Sequence, residues 1–163
     1  MGEGLTEDNG LSEANENTTL RGNEDLAALI RGAFSLKPVD AAQYSALALA
    51  YIGDNVYEFV NRTVAVMECD KKVNKLHREC SERANAGAQA KVLDRICGLL
   101  TEEEQAIYHR GRNAEVYTKA KNATTGDYHK ATGLEALIGY LYLSEKYERL
   151  VELIKMGWEE QDV

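Results

Sequence analysis

A single proline, Pro38, occurs in 163 residues, and it stands ahead of the long apolar segments rather than within them. Proline inside a helix costs about 3 kcal/mol. A chain nearly free of it, with apolar residues recurring every three or four positions and no segment of alternating polarity, is therefore expected to be all-α. With 44% hydrophobic residues it can bury a real core, and a helical bundle in one compact domain is the expected architecture.

The chain organises into a tail and a bundle. Residues 1–22 (MGEGLTEDNGLSEANENTTLRG) hold too few apolar residues to pack and read as a disordered acidic tail. The folded domain is expected over 23–163. Asn23 is the expected cap of a short helix with Glu24 and Asp25 in its first turn. Asp40 with Gln43 resembles a capping box opening a long helix through about residue 66. Further helices are expected over about 71–84 and 86–99, from the Thr101 and Glu104 capping box to a stop at Gly111, over 126–144, and over 145–158. The intervening RNAEVYTKAKNATTG shows no apolar period and reads as a loop.

A net charge of −8 argues against a nucleic-acid partner until its distribution is considered. Residues 1–31 and 144–163 carry all of the excess, leaving fourteen acids and fourteen bases in residues 32–143. Within that neutral middle, Arg110, Arg112, Lys119, Lys121 and Lys130 face only Glu115 and Asp127, a locally basic stretch suited to phosphates. A solvated connecting loop is the alternative reading of the same residues.

No apolar run approaches the roughly 18 residues of a membrane span, and no signal peptide is evident, so a cytoplasmic protein with no membrane association is expected. Cys69, Cys80 and Cys97 lack CxxC spacing and sit in helical patterns. Reduced, mostly buried thiols are expected.

The stretch LALAYIGDNVYEFVNR, residues 47–62, bears on chemistry. Leu49, Ile52, Val56 and Phe59 repeat at helical spacing, but Gly53 and Asp54 interrupt them, at about 1 kcal/mol for the glycine alone. Asp54 falls on a second, small and apolar face with Leu47, Ala50 and Asn61. Glu135 repeats the oddity, as the only charge between Lys130 and Glu145. Lone acids in apolar helices are uncommon unless paired, hydrogen-bonded or metal-bound. Ala50 and Gly53 on one helix, with Ala136 and Gly139 on the other, would let the backbones approach and bring both acids to one site. Two such carboxylates repel unless a proton or cation intervenes, and oxygen-only ligands suit a hard ion such as Mg²⁺ or Mn²⁺. On residue type alone, solvated or hydrogen-bonded acids remain an equal alternative. His77, His109 and His129 are neither followed by Asp nor preceded at i−3 by Glu, which excludes HD-type and ferritin-like metal sites.

At these residues the chain resembles the ribonuclease III family. YIGDNVYEF is similar to the family signature and LEALIGYLYL to its second acidic helix. The ordered strings ALAYIGD, KLH, AQA, LTEEE, RGRNA, KNA, Tyr128 and EALIGYLYL resemble the short, single-domain branch, Mini-ribonuclease III, from about Leu47 to Leu150. The resemblance implies the ribonuclease III catalytic-domain bundle and a homodimeric endoribonuclease that hydrolyses double-stranded RNA with Mg²⁺, for which Mn²⁺ can substitute. It also implies Asp54 and Glu135 as catalytic and metal-binding acids, and precursor large-subunit (23S) ribosomal RNA as substrate. Arg110, Arg112, Lys119, Lys121 and Lys130 would then bind the RNA backbone. No double-stranded-RNA-binding domain is expected after Val163. Where full-length members of the family carry further acids, this chain has Ala50 and Thr132, a loss shared by the short branch. Glu115 and Ala120 replace an expected basic residue and proline in the loop. The competing reading is a catalytically silent helical RNA-binding or assembly module.

Overall fold

The computed structural model describes residues 25–68, 72–115 and 124–159. The expected acidic tail over 1–22 and the Asn23 cap lie outside them. Among the described residues every regular element is helical, and the chain divides into two units, Met1–Leu36 and Lys37–Val163.

In the first unit, α1 (Leu26–Ala33) is capped by Asp25, whose Oδ1 accepts from the Ala28 amide at 2.8 Å. It stops at Ser35, which takes a positive φ of 52°. Leu26, Leu29 and Ile30 are exposed on it.

The second unit is the bundle: α2 (Ala46–Glu68), α3 (Val73–Ala84), α4 (Ala86–Ile96), α5 (Glu102–Arg112), α6 (Thr125–Leu143) and α7 (Tyr147–Trp158). Helix α6 is its axis. From Ala131 to Leu141 every residue except Glu135 is buried, which is why this stretch is apolar on all sides rather than along one stripe. Helices α2, α4, α5 and α7 pack around it.

The expected continuous helix from Asp40 is broken. Asp40 caps a short 3₁₀ turn, Ala41–Gln43, by accepting from the Ala42 amide. The backbone then extends at Tyr44, and Ser45 Oγ caps α2 afresh through the Ala48 amide at 3.1 Å. A serine at a helix start competes for backbone donors better than it continues a helix. The Thr101 and Glu104 capping box forms as expected. Asn85 caps α4 through the Ala88 amide at 2.9 Å, and Glu145, at a φ of 59°, makes the break before α7.

Gly111 does not end α5. It lies inside the helix, where a Cβ would meet the Ala136 Cβ at 2.6 Å and the Gly133 Cα at 2.9 Å. The glycine is required for close approach to α6.

One buried ion pair ties the end of the bundle together. The Glu104 carboxylate, only 4% exposed, receives Arg149 Nε at 2.9 Å and Nη2 at 3.0 Å. Burial pushes Glu104 upward, but the Arg149 guanidinium and the Thr101 amide outweigh it and hold the carboxyl below its ordinary range.

Candidate active site

The site is built where α2 crosses α6. A Cβ on Gly53 would strike the backbone carbonyl of Glu135 and lie 2.7 Å from the Gly139 nitrogen. One on Gly139 would strike the Leu49 carbonyl and lie 3.0 Å from Ile52 Cγ2. The two glycines thus allow backbone-to-backbone contact between the helices. The crossing brings Asp54, next to Gly53, within electrostatic reach of Glu135.

The buried face of α2 differs from the expected stripe. Leu49, Ala50, Gly53, Tyr57, Asn61 and Ala65 face inward, whereas Ile52 and Val56 are half-buried and Phe59 is 64% exposed. The real contact row advances four residues at a time, and small or polar residues occupy it because α6 and α3 lie so close. Asn61, fully buried, donates to the Cys80 carbonyl at 2.9 Å. Tyr57 and Tyr140 belong to the core, and Tyr51 is 79% exposed.

Asp54 is not enclosed in an apolar face. It is exposed at one end of an open groove of about 780 Å³ that follows α2 and is lined further by Asn55, Glu58, Phe59, Arg62, Thr63, Val66 and Met67. Partial burial and the nearby Glu58 carboxylate raise its affinity for a proton. Glu58 itself is ion-paired to Arg62 at 2.6 Å.

Glu135 is half-buried. Removal from water, followed by the charge of Asp54, pushes its carboxyl up to about 7, while the nearby Gln89 side chain acts in the opposite sense. Two carboxylates with raised proton affinity form a site deficient in positive charge. Among the described residues, no three or more His, Cys, Asp or Glu side chains are grouped to hold a metal ion. A cation here would rest on two protein carboxylates and fill its other positions with water or substrate oxygens, a donor set that fits Mg²⁺.

The expected basic surface is partly committed to structure. Arg110 donates through Nη1 to the Ala42 carbonyl at 2.8 Å and through Nη2 to the Tyr44 carbonyl at 2.6 Å, tying α5 to the segment before α2. Lys130 Nζ lies 2.6 Å from Asp94 Oδ1. Arg112 is exposed at the end of α5. Lys119 and Lys121 lie outside the described residues. Of the cysteines, Cys80 is buried and Cys97 exposed, both free thiols; Cys69 lies outside the described residues.

Sequence reasoning overlooked Gln89 as a neighbour of Glu135. The signal was present: Gln89, Val92, Leu93 and Ile96 form one helical stripe on α4, and all four are buried. A glutamine heading an otherwise aliphatic core stripe needs a polar partner inside.

The chain is similar to known proteins over most of the bundle. The profile of the Ribonuclease III domain matches residues 47–146. Mini-ribonuclease 3 of Enterococcus faecalis is 46% identical over 117 residues, covering 71% of this chain and 89% of the relative. Mini-ribonuclease 3 of Clostridium tetani is 46% identical over 72% of this chain and 78% of its own length; that of Streptococcus pneumoniae is 41% identical over 71% and 92%. The crystal structure of a Fusobacterium nucleatum protein superposes with a TM-score of 0.65 at 30% identity, covering 72% of this chain and 93% of the other.

Proposed function

Because this chain belongs to the Mini-ribonuclease III branch of the ribonuclease III family, we propose that it is a Mg²⁺-dependent, homodimeric enzyme that trims precursor 23S ribosomal RNA in the cytoplasm. Its class of activity is that of a ribonuclease III-type endoribonuclease acting on double-stranded RNA. The observation that carries the finer reading is the pairing of Asp54 with Glu135 at a glycine-lined helix crossing, with both carboxyls above their ordinary range.

Asp54 and Glu135 would hold Mg²⁺, which when bound supplies an activated water and offsets charge on the phosphate as the 3′ oxygen leaves. The two acids must be ionised to do so, and the nearby Gln89 side chain favours the ionised form of Glu135. Gly53 and Gly139 let the two helices approach closely, which would keep the acids near one location. Exposed Arg112 would contact RNA phosphate, and Lys119 and Lys121, outside the described residues, are proposed to extend that contact. Recognition of a duplex would proceed through its backbone and shape rather than its bases.

The homodimer reading is supported by Tyr51, Phe59, Val66 and Met67, four exposed large apolar side chains on α2, three of which line the groove beside Asp54. Such a patch is costly in water and is relieved by a second copy. Two sites related by a two-fold axis would cut the two strands of one duplex. The cytoplasmic reading is compatible with the finding that, among the described residues, no helix is long and apolar enough to cross a membrane.

The test is cleavage of end-labelled duplex RNA and of a 23S precursor, with and without Mg²⁺, alongside sedimentation of the protein. Staggered cuts leaving 5′ phosphate and 3′ hydroxyl, dependent on Mg²⁺ and on both acids, are expected from a dimer. A folded protein that binds duplex but never cuts would identify a silent RNA-binding module instead.

A further inference from the structure

Gln89 is 1% exposed, among the most deeply buried polar side chains of the bundle. It sits one turn inside α4, where its backbone amide donates to the Asn85 carbonyl at 3.0 Å. Its side-chain Nε2 lies 3.3 Å from the Ala84 carbonyl, at the junction of α3 and α4. The same side chain lies close enough to the Glu135 carboxylate on α6 to favour its ionised form. Both partners are acceptors, so the amide must present its NH₂ to them. That leaves Oε1 buried without a protein donor.

An orphaned buried carbonyl is destabilising, and an aliphatic side chain of the same length would avoid the loss while completing the stripe of Val92, Leu93 and Ile96. A glutamine at this place is therefore unfavourable for packing. Its use lies in what the NH₂ group holds.

We infer that Gln89 is a positioning residue for Glu135: anchored at the α3–α4 junction, its carboxamide fixes the Glu135 carboxylate in one orientation for the divalent cation. Fixing the carboxylate removes rotamer freedom that metal binding would otherwise have to overcome, and outer partners of metal ligands typically contribute 10–100-fold in affinity. The inference rests on the Mg²⁺ reading of the site.

The experiment measures Mn²⁺ binding by electron paramagnetic resonance to RNA-free protein, and Mg²⁺ half-saturation of duplex cleavage, for wild type and Gln89→Met. Thermal unfolding with EDTA serves as the folding control. Gln89→Met keeps the length and apolar contacts while removing both the donor and the orphaned acceptor. Expected is a Tm equal to or above wild type, with Mn²⁺ affinity and Mg²⁺ half-saturation each weakened about tenfold and cleavage largely recovered at saturating Mg²⁺. A lower Tm with unchanged metal affinity would make Gln89 a packing residue and overturn the inference. Gln89→Leu, which removes the same donor with a different shape, replaces the methionine variant if that one does not fold. If neither folds, the glutamine is a structural requirement and the positioning role is discarded. Wild type that neither binds Mn²⁺ nor cleaves with Mg²⁺ would instead overturn the proposed function, an outcome distinct from a wild type that does both and a variant that matches it.

Discussion

Gly53 on α2 lies against the backbone carbonyl of Glu135 on α6 with no space between them for a methyl group. The obstructing atoms are backbone, so an added Cβ could be accommodated only by moving the helices apart. Gly53→Ala is therefore expected to destabilise the bundle by more than about 3 kcal/mol, at or above the upper end for overpacked cores. Urea unfolding checks this, with Gly98→Ala as control, since nothing lies within 4 Å of a Cβ there. Equal midpoints for the two variants would contradict the crossing geometry.

Asp54→Asn and Glu135→Gln each remove a charge from a site already short of positive charge. Both variants are expected to fold, by circular dichroism, and to unfold at the same or a higher temperature than wild type in EDTA. Mg²⁺-dependent cleavage of duplex RNA is expected to fall at least about 100-fold in each.

The pH dependence of stability without metal follows from Glu135. Its carboxyl titrates near 7 in the folded protein against 4.5 ordinarily, so between those values the folded state holds a proton that the unfolded state has lost. Stability from this group is full below about pH 4.5 and declines as pH rises through 7, by about 3 kcal/mol in all. Urea midpoints in EDTA from pH 5 to pH 8 are expected to fall more steeply for wild type than for Glu135→Gln, and saturating Mg²⁺ should reduce that difference. A wild type that gains stability relative to Glu135→Gln over this range would refute the sign.

Arg110 and Arg112 are expected to separate in their effects. Arg110→Met strips two exposed carbonyls of their donors and should cost about 1 kcal/mol of stability with little change in the salt dependence of RNA binding. Arg112→Ala should leave stability within about 0.5 kcal/mol but reduce by about one the slope of log affinity against log salt. Anisotropy with a fluorescent duplex in EDTA, over a series of KCl concentrations, measures both slopes.

Arg149→Met would leave the buried Glu104 carboxylate without its guanidinium partner. The expected loss is about 3 kcal/mol at neutral pH, recovered in part by Glu104→Gln in the same chain, and calorimetry of the single and double variants measures it.

The helical class, the Thr101 cap and the pairing of Asp54 with Glu135 were all legible in the sequence, because each depends on local chemistry or on a short spacing. Gly53 and Gly139 announced a close crossing through the absence of a side chain where a helix normally carries one. Other features depended on surroundings. Ser45 and Asp40 are both good caps, and only the packed chain shows that each starts its own element. Gly111 is equally suited to ending a helix and to touching another one, and its contact with Gly133 and Ala136 decided for the second. Arg110 and Arg112 have the same charge two residues apart, yet one is held by two carbonyls and the other exposed.

By itself the sequence determined the elements and the two acids, since periodicity, capping and isolated charge are written in neighbouring residues. Tertiary structure alone decided which face of α2 is buried, which arginine is held by backbone carbonyls, and that a glutamine on α4 lies near Glu135. Those outcomes depend on which helix lies opposite, and that contact is between residues far apart in the chain.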